Sequence, residues 1–347
     1  PLFSQDDFER VKKQQLEGIA NRVTSPVAIA DNIYNRLLYG NDHIMGIPTD
    51  GTEATVKVLS VEDVKQYYND HFSPSITSLV IVGDVSKEAI LPKIDFLKNW
   101  AAKNVIKPAE AKSPVIDKSR IYLVNKEKAP QSQIRIGFMA MPYDATGEYY
   151  KSQMMNYSLG GAFNSRINLN LREDKGYTYG AHSYFSGSKF AGPYTASAGV
   201  RVNSTDSSVI EFMKEIKNFA DNGMKQEELD FTRKSVGQSE ALKYETPSNK
   251  AGFLKRILDY DLDPKYVGTQ SEILNKMSLE EVNRLAKKNL QYDKVNILVV
   301  GDKASVGEGL KKLGYEVIEL DLNGNPVNVA NPELPMKEVE NKKKVKD

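Results

Sequence analysis

Residues 278–302 read SLEEVNRLAKKNLQYDKVNILVVGD, and residues 60–84 read SVEDVKQYYNDHFSPSITSLVIVGD. The displacement is constant at 218 residues, Ser278 standing to Ser60 as Asp302 stands to Asp84. Each stretch opens on a Ser with an acidic residue three positions on, the pattern of a helix N-terminus. Each closes on a short apolar run ending at Gly-Asp. Upstream the displacement grows by a few residues: Phe8 and Arg10 correspond to Phe231 and Arg233, and Pro26 to Pro247. The chain is therefore built from two copies of one α/β unit.

The copies are unequal. In the second, residues 119–228 precede the helix carrying Phe231, whereas a handful precede Phe8 in the first. Those extra residues read as strands over 120–125 and 133–141, a helix over 148–159, and an antiparallel pair from 177–186 and 194–202. Helices over 203–222, 227–244, 247–259 and 279–289 follow, and 295–300 reads as the last strand. The first copy offers helices over 6–22, from Pro26 to Gly40, over 60–72, and over 86–101 with a kink at Pro92. Its one obvious strand is 78–82. A half-unit with one strand cannot bury its helices, so its sheet is expected to be completed by another chain, a symmetry mate or residues absent from this sequence. The division is residues 1–101 as the later part of a first unit and 102–118 as a Pro-, Lys- and Ala-containing linker. Residues 119–322 form a complete second unit, and 323–347 a loose tail.

With 347 residues there is room for two such units. The 47 basic and 46 acidic residues are spread along the chain and nearly cancel, so no nucleic-acid surface is indicated. No apolar run approaches the roughly 18 residues needed to span a bilayer. The absence of cysteine excludes disulfides, thiolate metal sites and a cysteine nucleophile, and leaves the compartment open. The chain opens on Pro1 with no visible signal peptide, which reads as an excised or processed piece of something longer.

Residues 159–184, LGGAFNSRINLNLREDKGYTYGAHSY, carry the chemistry. Gly160-Gly161 permits close backbone approach or positive φ, Asn164 and Ser165 are N-cap candidates, and Gly176 can close the helix. Ile167, Leu169 and Leu171 also alternate with period two, so the periodicity leaves helix and strand both open. Read by themselves, Arg172 is a cation at a helix C-terminus and Tyr179 a half-buried strand residue.

The run LREDKGYTYG resembles a motif of the insulinase/pitrilysin-type zinc metallopeptidases, the inverted zincins, in the half-molecule that does not hold the metal. The likeness extends through ERVKKQQLEGI, the helix at Pro26 and YGNDH, and spans nearly the whole chain. It implies an α+β fold of two repeated α/β units, each an antiparallel-rich mixed sheet with helices on one face (LuxS/MPP-like), the first incomplete. It implies that Arg172 and Tyr179 face a zinc site across a closed chamber. A guanidinium can donate twice to a peptide carbonyl and a phenol to a developing oxyanion. Tyr177, His182 and Tyr184 would bind peptide beside them.

The H-x-x-E-H motif of peptide-cleaving members is absent, and His43, His71 and His182 are each isolated, as surface or turn residues usually are. Where active members carry a further Glu ligand, Gly18 stands, with Glu17 one position off. One helical residue is a rotation of about 100°, enough to aim a carboxylate away from a metal. The resemblance thus implies a chain that binds no metal itself, is inactive alone, and works on peptide substrate with a catalytic, zinc-bearing half supplied in another chain or upstream. It favours a bacterial periplasmic setting over the cytoplasm. A subunit kept for assembly and a peptide-binding module without catalysis are the alternatives.

Overall fold

The computed structural model describes residues 1–106 and 110–327. The chain begins with helices α1 (Gln5–Arg22), α2 (Pro26–Tyr39), α3 (Glu53–Val58), α4 (Val61–His71) and α5 (Lys87–Ile90). Then come β1 (Arg120–Asn125), β2 (Gln131–Met141), α6 (Glu148–Asn156), α7 (Arg166–Asn168), β3 (Thr178–Phe185), β4 (Gly192–Arg201) and α8 (Thr205–Asn222). The rest is α9 (Gln226–Glu240), α10 (Pro247–Tyr260), α11 (Tyr266–Lys276), α12 (Leu279–Asn289), β5 (Asn296–Gly301), α13 (Lys303–Lys311) and β6 (Glu316–Leu320).

Capping explains several boundaries. Ser60 accepts from the Asp63 N–H (3.2 Å) while Asp63 accepts from the Ser60 N–H (2.7 Å), closing the expected box at the head of α4. Ser278 accepts from the Glu281 N–H (3.1 Å) at the matching position of α12. Ser25 caps α2, Pro26 opens it, and Gly40 at φ +86° ends it.

The strands form one mixed sheet in the order β3-β4-β2-β5-β1-β6. β1 lies parallel to β5 and β6, and the other neighbours are antiparallel. On one face Ile121, Ile134, Ile136, Ala196, Ile297 and Val299 meet apolar side chains of α6, α8 and α12 in the main core. Helix α2 of the first copy crosses to the other face of this sheet. There Ile29, Ile33 and Leu38 pack on Val124, Leu298, Val300 and Leu320. Each such side chain contributes about 1.5–3 kcal/mol by leaving water.

Four expectations need correcting. Residues 78–82 do not form a strand, because among the described residues nothing lies alongside to take their backbone hydrogen bonds. The helix expected over 86–101 ends as α5 at Ile90 and continues as a 3₁₀ turn, Leu91–Asn99. Pro92 lacks an N–H and its ring collides with the carbonyl four residues back. The strand at 295–300 is not the last, since β6 adds to β1 after Gly314 (φ +81°). Helices α3, α11 and α13 are additional to those the periodicity predicts, the last because Gly307 and Gly309 dilute its pattern. Most of the expected loose tail, 328–347, and residues 107–109 of the expected linker lie outside the described residues.

Candidate substrate-facing site

The stretch at 159–184 is helical where its periodicity left a choice. Ser165 stands at the N-cap of α7, which widens into a π-helical turn, Leu169–Asp174, before Gly176 reverses the chain at φ +62°. The Tyr177 N–H donates to the Leu171 carbonyl (2.8 Å) and its own carbonyl accepts from the Arg201 N–H (3.0 Å), tying turn to sheet. Gly160 is required by close approach: a Cβ there would stand 2.1 Å from Ser183 Oγ and 2.5 Å from its backbone N. Asn156 uses that proximity, donating to the Ser183 carbonyl (2.7 Å) and accepting from its hydroxyl (2.6 Å). Arg166 anchors the other side, both of its bonded nitrogens 2.6 Å from Glu228 carboxylate oxygens.

On this support Arg172 lies within the π turn. Its guanidinium lies 4.5 Å from the Phe163 ring centre and Nη1 donates to Glu173 (2.6 Å). Tyr179 sits where the β3–β4 register slips, so that Tyr179 and Gly180 together oppose Gly199. Thr178 holds the bulge, its hydroxyl donating to the Gly199 carbonyl (2.7 Å) and accepting from the Gly180 N–H (3.1 Å). The bulge throws the Tyr179 ring outward, 91% exposed, with no internal hydrogen bond on its hydroxyl among the described residues. The Arg172 side chain is 31% exposed, and no hydrogen bond joins it to Tyr179 among the described residues.

Beyond the bulge, β3 alternates regularly. Ala181 and Phe185 enter the core, while His182 and Tyr184 stand on the opposite face with rings stacked at 5.8 Å. His182 Nε2 lies 3.0 Å from Ser197 Oγ on β4, and Ser197 is paired in register with Arg135 on β2. Burial, and then the Arg135 charge, push the His182 imidazole below its usual pKa, so it is neutral at pH 7. Arg135 is held by Asp31 of α2 (3.1 Å). One rung later Tyr184 pairs with Thr195, whose hydroxyl is 3.3 Å from the buried Tyr34 hydroxyl of α2. Tyr177 is half-buried and apart from this pair. Sequence reasoning missed Ser197, Arg135, Asp31 and Tyr34 because cross-strand register brings them together. Phe163 carried no signal before its position under Arg172 was visible.

No group of three or more His, Asp or Glu side chains fit to hold a metal occurs among the described residues. His43 is buried at the head of the turn Ile44–Gly46, accepting the Met45 N–H (3.0 Å), and His71 packs on the Tyr67 ring at 4.5 Å. The described residues therefore offer no ligand set that fits a zinc site. No described helix is long and apolar enough to cross a membrane.

The pattern of the "Peptidase M16 inactive domain" family matches residues 59–236, just over half the chain. The chain belongs to that family. It is 24% identical to the "Uncharacterized zinc protease YmxG" of Bacillus subtilis over 297 residues, covering 84% of this chain and 70% of that protein. It is 24% identical to the "Non-peptidase homolog YmxG" of Helicobacter pylori, covering 87% and 69%. The crystal structure of a peptidase M16 inactive domain from Pseudomonas fluorescens superposes with a TM-score of 0.78 at 21% identity, over 87% of this chain and 72% of that one. The chain is thus a non-catalytic M16 half with the mixed α+β fold expected of it.

Proposed function

We propose that this M16 half presents peptide substrate to a zinc site carried by a catalytic M16 half, Arg172 and Tyr179 acting in trans. The observation that carries the reading is Tyr179. A phenol thrown out of a hydrogen-bonded bulge, 91% exposed and without a hydrogen-bond partner among the described residues, stands on a hydrogen-bonded strand with its donor turned to solvent. The Arg172 guanidinium lies over the Phe163 ring and gives Nη1 to Glu173, which leaves Nε and Nη2 without a partner among the described residues and able to donate to a carbonyl. Tyr177, His182 and Tyr184 supply amphipathic rings for the flanking peptide, and neutral His182 can accept as well as donate a hydrogen bond.

The test reconstitutes the chain with an H-x-x-E-H half from the same cell and follows peptide cleavage beside thermal stability. Tyr179→Phe keeps the ring and removes one donor, so turnover should fall by about 10²–10³ with little change in peptide binding. Arg172→Ala removes a charged donor that would grip the carbonyl in the ground state and more strongly as its oxygen gains charge, so both KM and kcat should worsen. Wild-type turnover in both variants, or losses matched by unfolding, would overturn the reading. They would favour a half retained for assembly, a role compatible with the Helicobacter relative's description as a non-peptidase homolog.

A further inference from the structure

The edge of β3 away from β4 meets no further strand among the described residues, and side chains take its backbone groups instead. The Phe185 carbonyl accepts from the Tyr149 hydroxyl (3.2 Å), and the Ser183 carbonyl from Asn156 (2.7 Å). The bond nearest Tyr179 comes from Asn168, whose Oδ1 accepts from the Ala181 N–H (3.0 Å). The Nδ2 of the same amide donates to the Phe163 carbonyl (2.7 Å). Asn168 is 4% exposed, and its two partners fix which way the amide points. Turned over, its oxygen would face a carbonyl and its nitrogen an N–H.

These two bonds join the segments that carry the site. Ala181 is where β3 returns to register, opposite Ala198, directly after Tyr179 and Gly180. Thr178 holds the other end of the bulge through Gly199 and Gly180, so the displaced residues are pinned from both sides. Phe163 carries the ring 4.5 Å from the Arg172 guanidinium, and Arg172 follows Asn168 by four residues in one helical stretch. Ile167 and Leu171, beside it in sequence, lie in the main core and fill space. A buried amide with both partners satisfied does more, because it sets a distance and a direction that apolar contact leaves loose.

We propose that Asn168 is a positioning residue of this site: its amide sets the place of the Tyr179 bulge relative to Phe163 and Arg172, and so where the phenol meets substrate. The inference rests on the assignment of Arg172 and Tyr179 to substrate. Asn168 is too buried to touch substrate itself, so its effect passes through Tyr179. A displacement of about 1 Å near a reacting group can cost about 10²-fold in rate.

The experiment is a double-mutant cycle in the chain reconstituted with its H-x-x-E-H half, read beside amide exchange in the chain by itself. Asn168→Ala should lower kcat by about 10- to 100-fold, with KM changed less. In the Tyr179→Phe background the same change should cost less than about threefold, because the group it positions has already lost its donor. The Ala181 amide should exchange at least about tenfold faster in Asn168→Ala. If that variant fails to fold, Asn168→Asp carries the same cycle. Ionised, it keeps the acceptor for Ala181 and loses the donor to Phe163, so kcat should fall several-fold, again only while Tyr179 is present, with the Ala181 amide still protected. Wild-type kcat in the Asn168 variant beside a damaged Tyr179→Phe would overturn this inference and leave the assignment of Tyr179 standing. Equal losses in both backgrounds, the result of a purely structural role, or an Ala181 amide unchanged in Asn168→Ala would do the same. Wild-type turnover in Tyr179→Phe itself would overturn the assignment, and the positioning role with it.

Discussion

Helices α2 and α10 are counterparts, opening at Pro26 and Pro247 after a capping Ser25 and Thr246, and they end in opposite circumstances. Ile33 of α2 is 2% exposed against the sheet, whereas Leu254, its match in α10, is 40% exposed and Leu258 is 52% exposed. Both helices are amphipathic by sequence. What differs is the presence of a sheet face for the apolar stripe to meet. Helix burial here is a property of the neighbour, not of the helix, as expected when tertiary packing supplies most of a helix's stability.

The sharpest way to break that comparison is truncation at the matched positions. Ile33→Ala should cost about 2–5 kcal/mol in a urea unfolding series, because it empties a packed site between α2 and β5. Leu254→Ala should stay within about 0.5 kcal/mol, as surface changes usually do. Equal losses at the two sites would mean that α10 is covered in solution.

A smaller contrast lies at Arg233 and Arg10, each paired with an Asp three residues earlier at 3.0 and 2.9 Å. Arg233 also donates to the Met277 carbonyl (2.6 Å) after α11, while Arg10 is 59% exposed and among the described residues has only its Asp7. In the first copy Lys12 takes over the capping, donating to the Lys57 and Leu59 carbonyls at 2.8 Å. Arg233→Ala should therefore lower stability by about 1.5–3 kcal/mol, the range of hydrogen bonds from a charged group. Arg10→Ala should change it by less than about 0.5 kcal/mol, and Lys12→Ala by more than Arg10→Ala. A thermal scan of the three variants ranks them.

The smallest effect expected is the pH response of His182. Its folded pKa lies below the ordinary value of about 6.5, so between the two values the unfolded chain binds more protons. The stability that neutral His182 contributes is present above pH 6.5 and is lost as pH falls toward the folded value. Titration of its ring by NMR should give a midpoint below 6.5, moving up in Arg135→Gln, where the repelling charge is gone. An unmoved midpoint would leave burial as the sole cause.

Much of the local structure was legible because its signals span a few residues. The Ser60–Asp63 box, the Gly40 and Gly176 reversals and the strand at 120–125 each rest on a few adjacent residues whose backbone preferences agree. The β6 strand was not legible, because a five-residue half-buried edge strand is stabilised by the β1 it joins more than by its own composition. At the site, the Arg172 and Tyr179 spacing was visible, while the His182–Ser197–Arg135 rung depended on three strands meeting in one register.

By itself the sequence determined that residues 278–302 echo residues 60–84, that no H-x-x-E-H zinc motif is carried, and that Gly176 can end a helix between Arg172 and Tyr179. These follow from periodicity, capping and residue inventory, which act over a few residues. Only the tertiary structure decided that α2 lies on the far side of the sheet, that 77–82 pair with none of the described residues, and that a one-residue slip in β3 turns Tyr179 outward. The physical reason is common to all three: a strand's pairing, its register and the burial of an amphipathic face depend on what arrives from distant parts of the chain, and no local preference encodes that arrival.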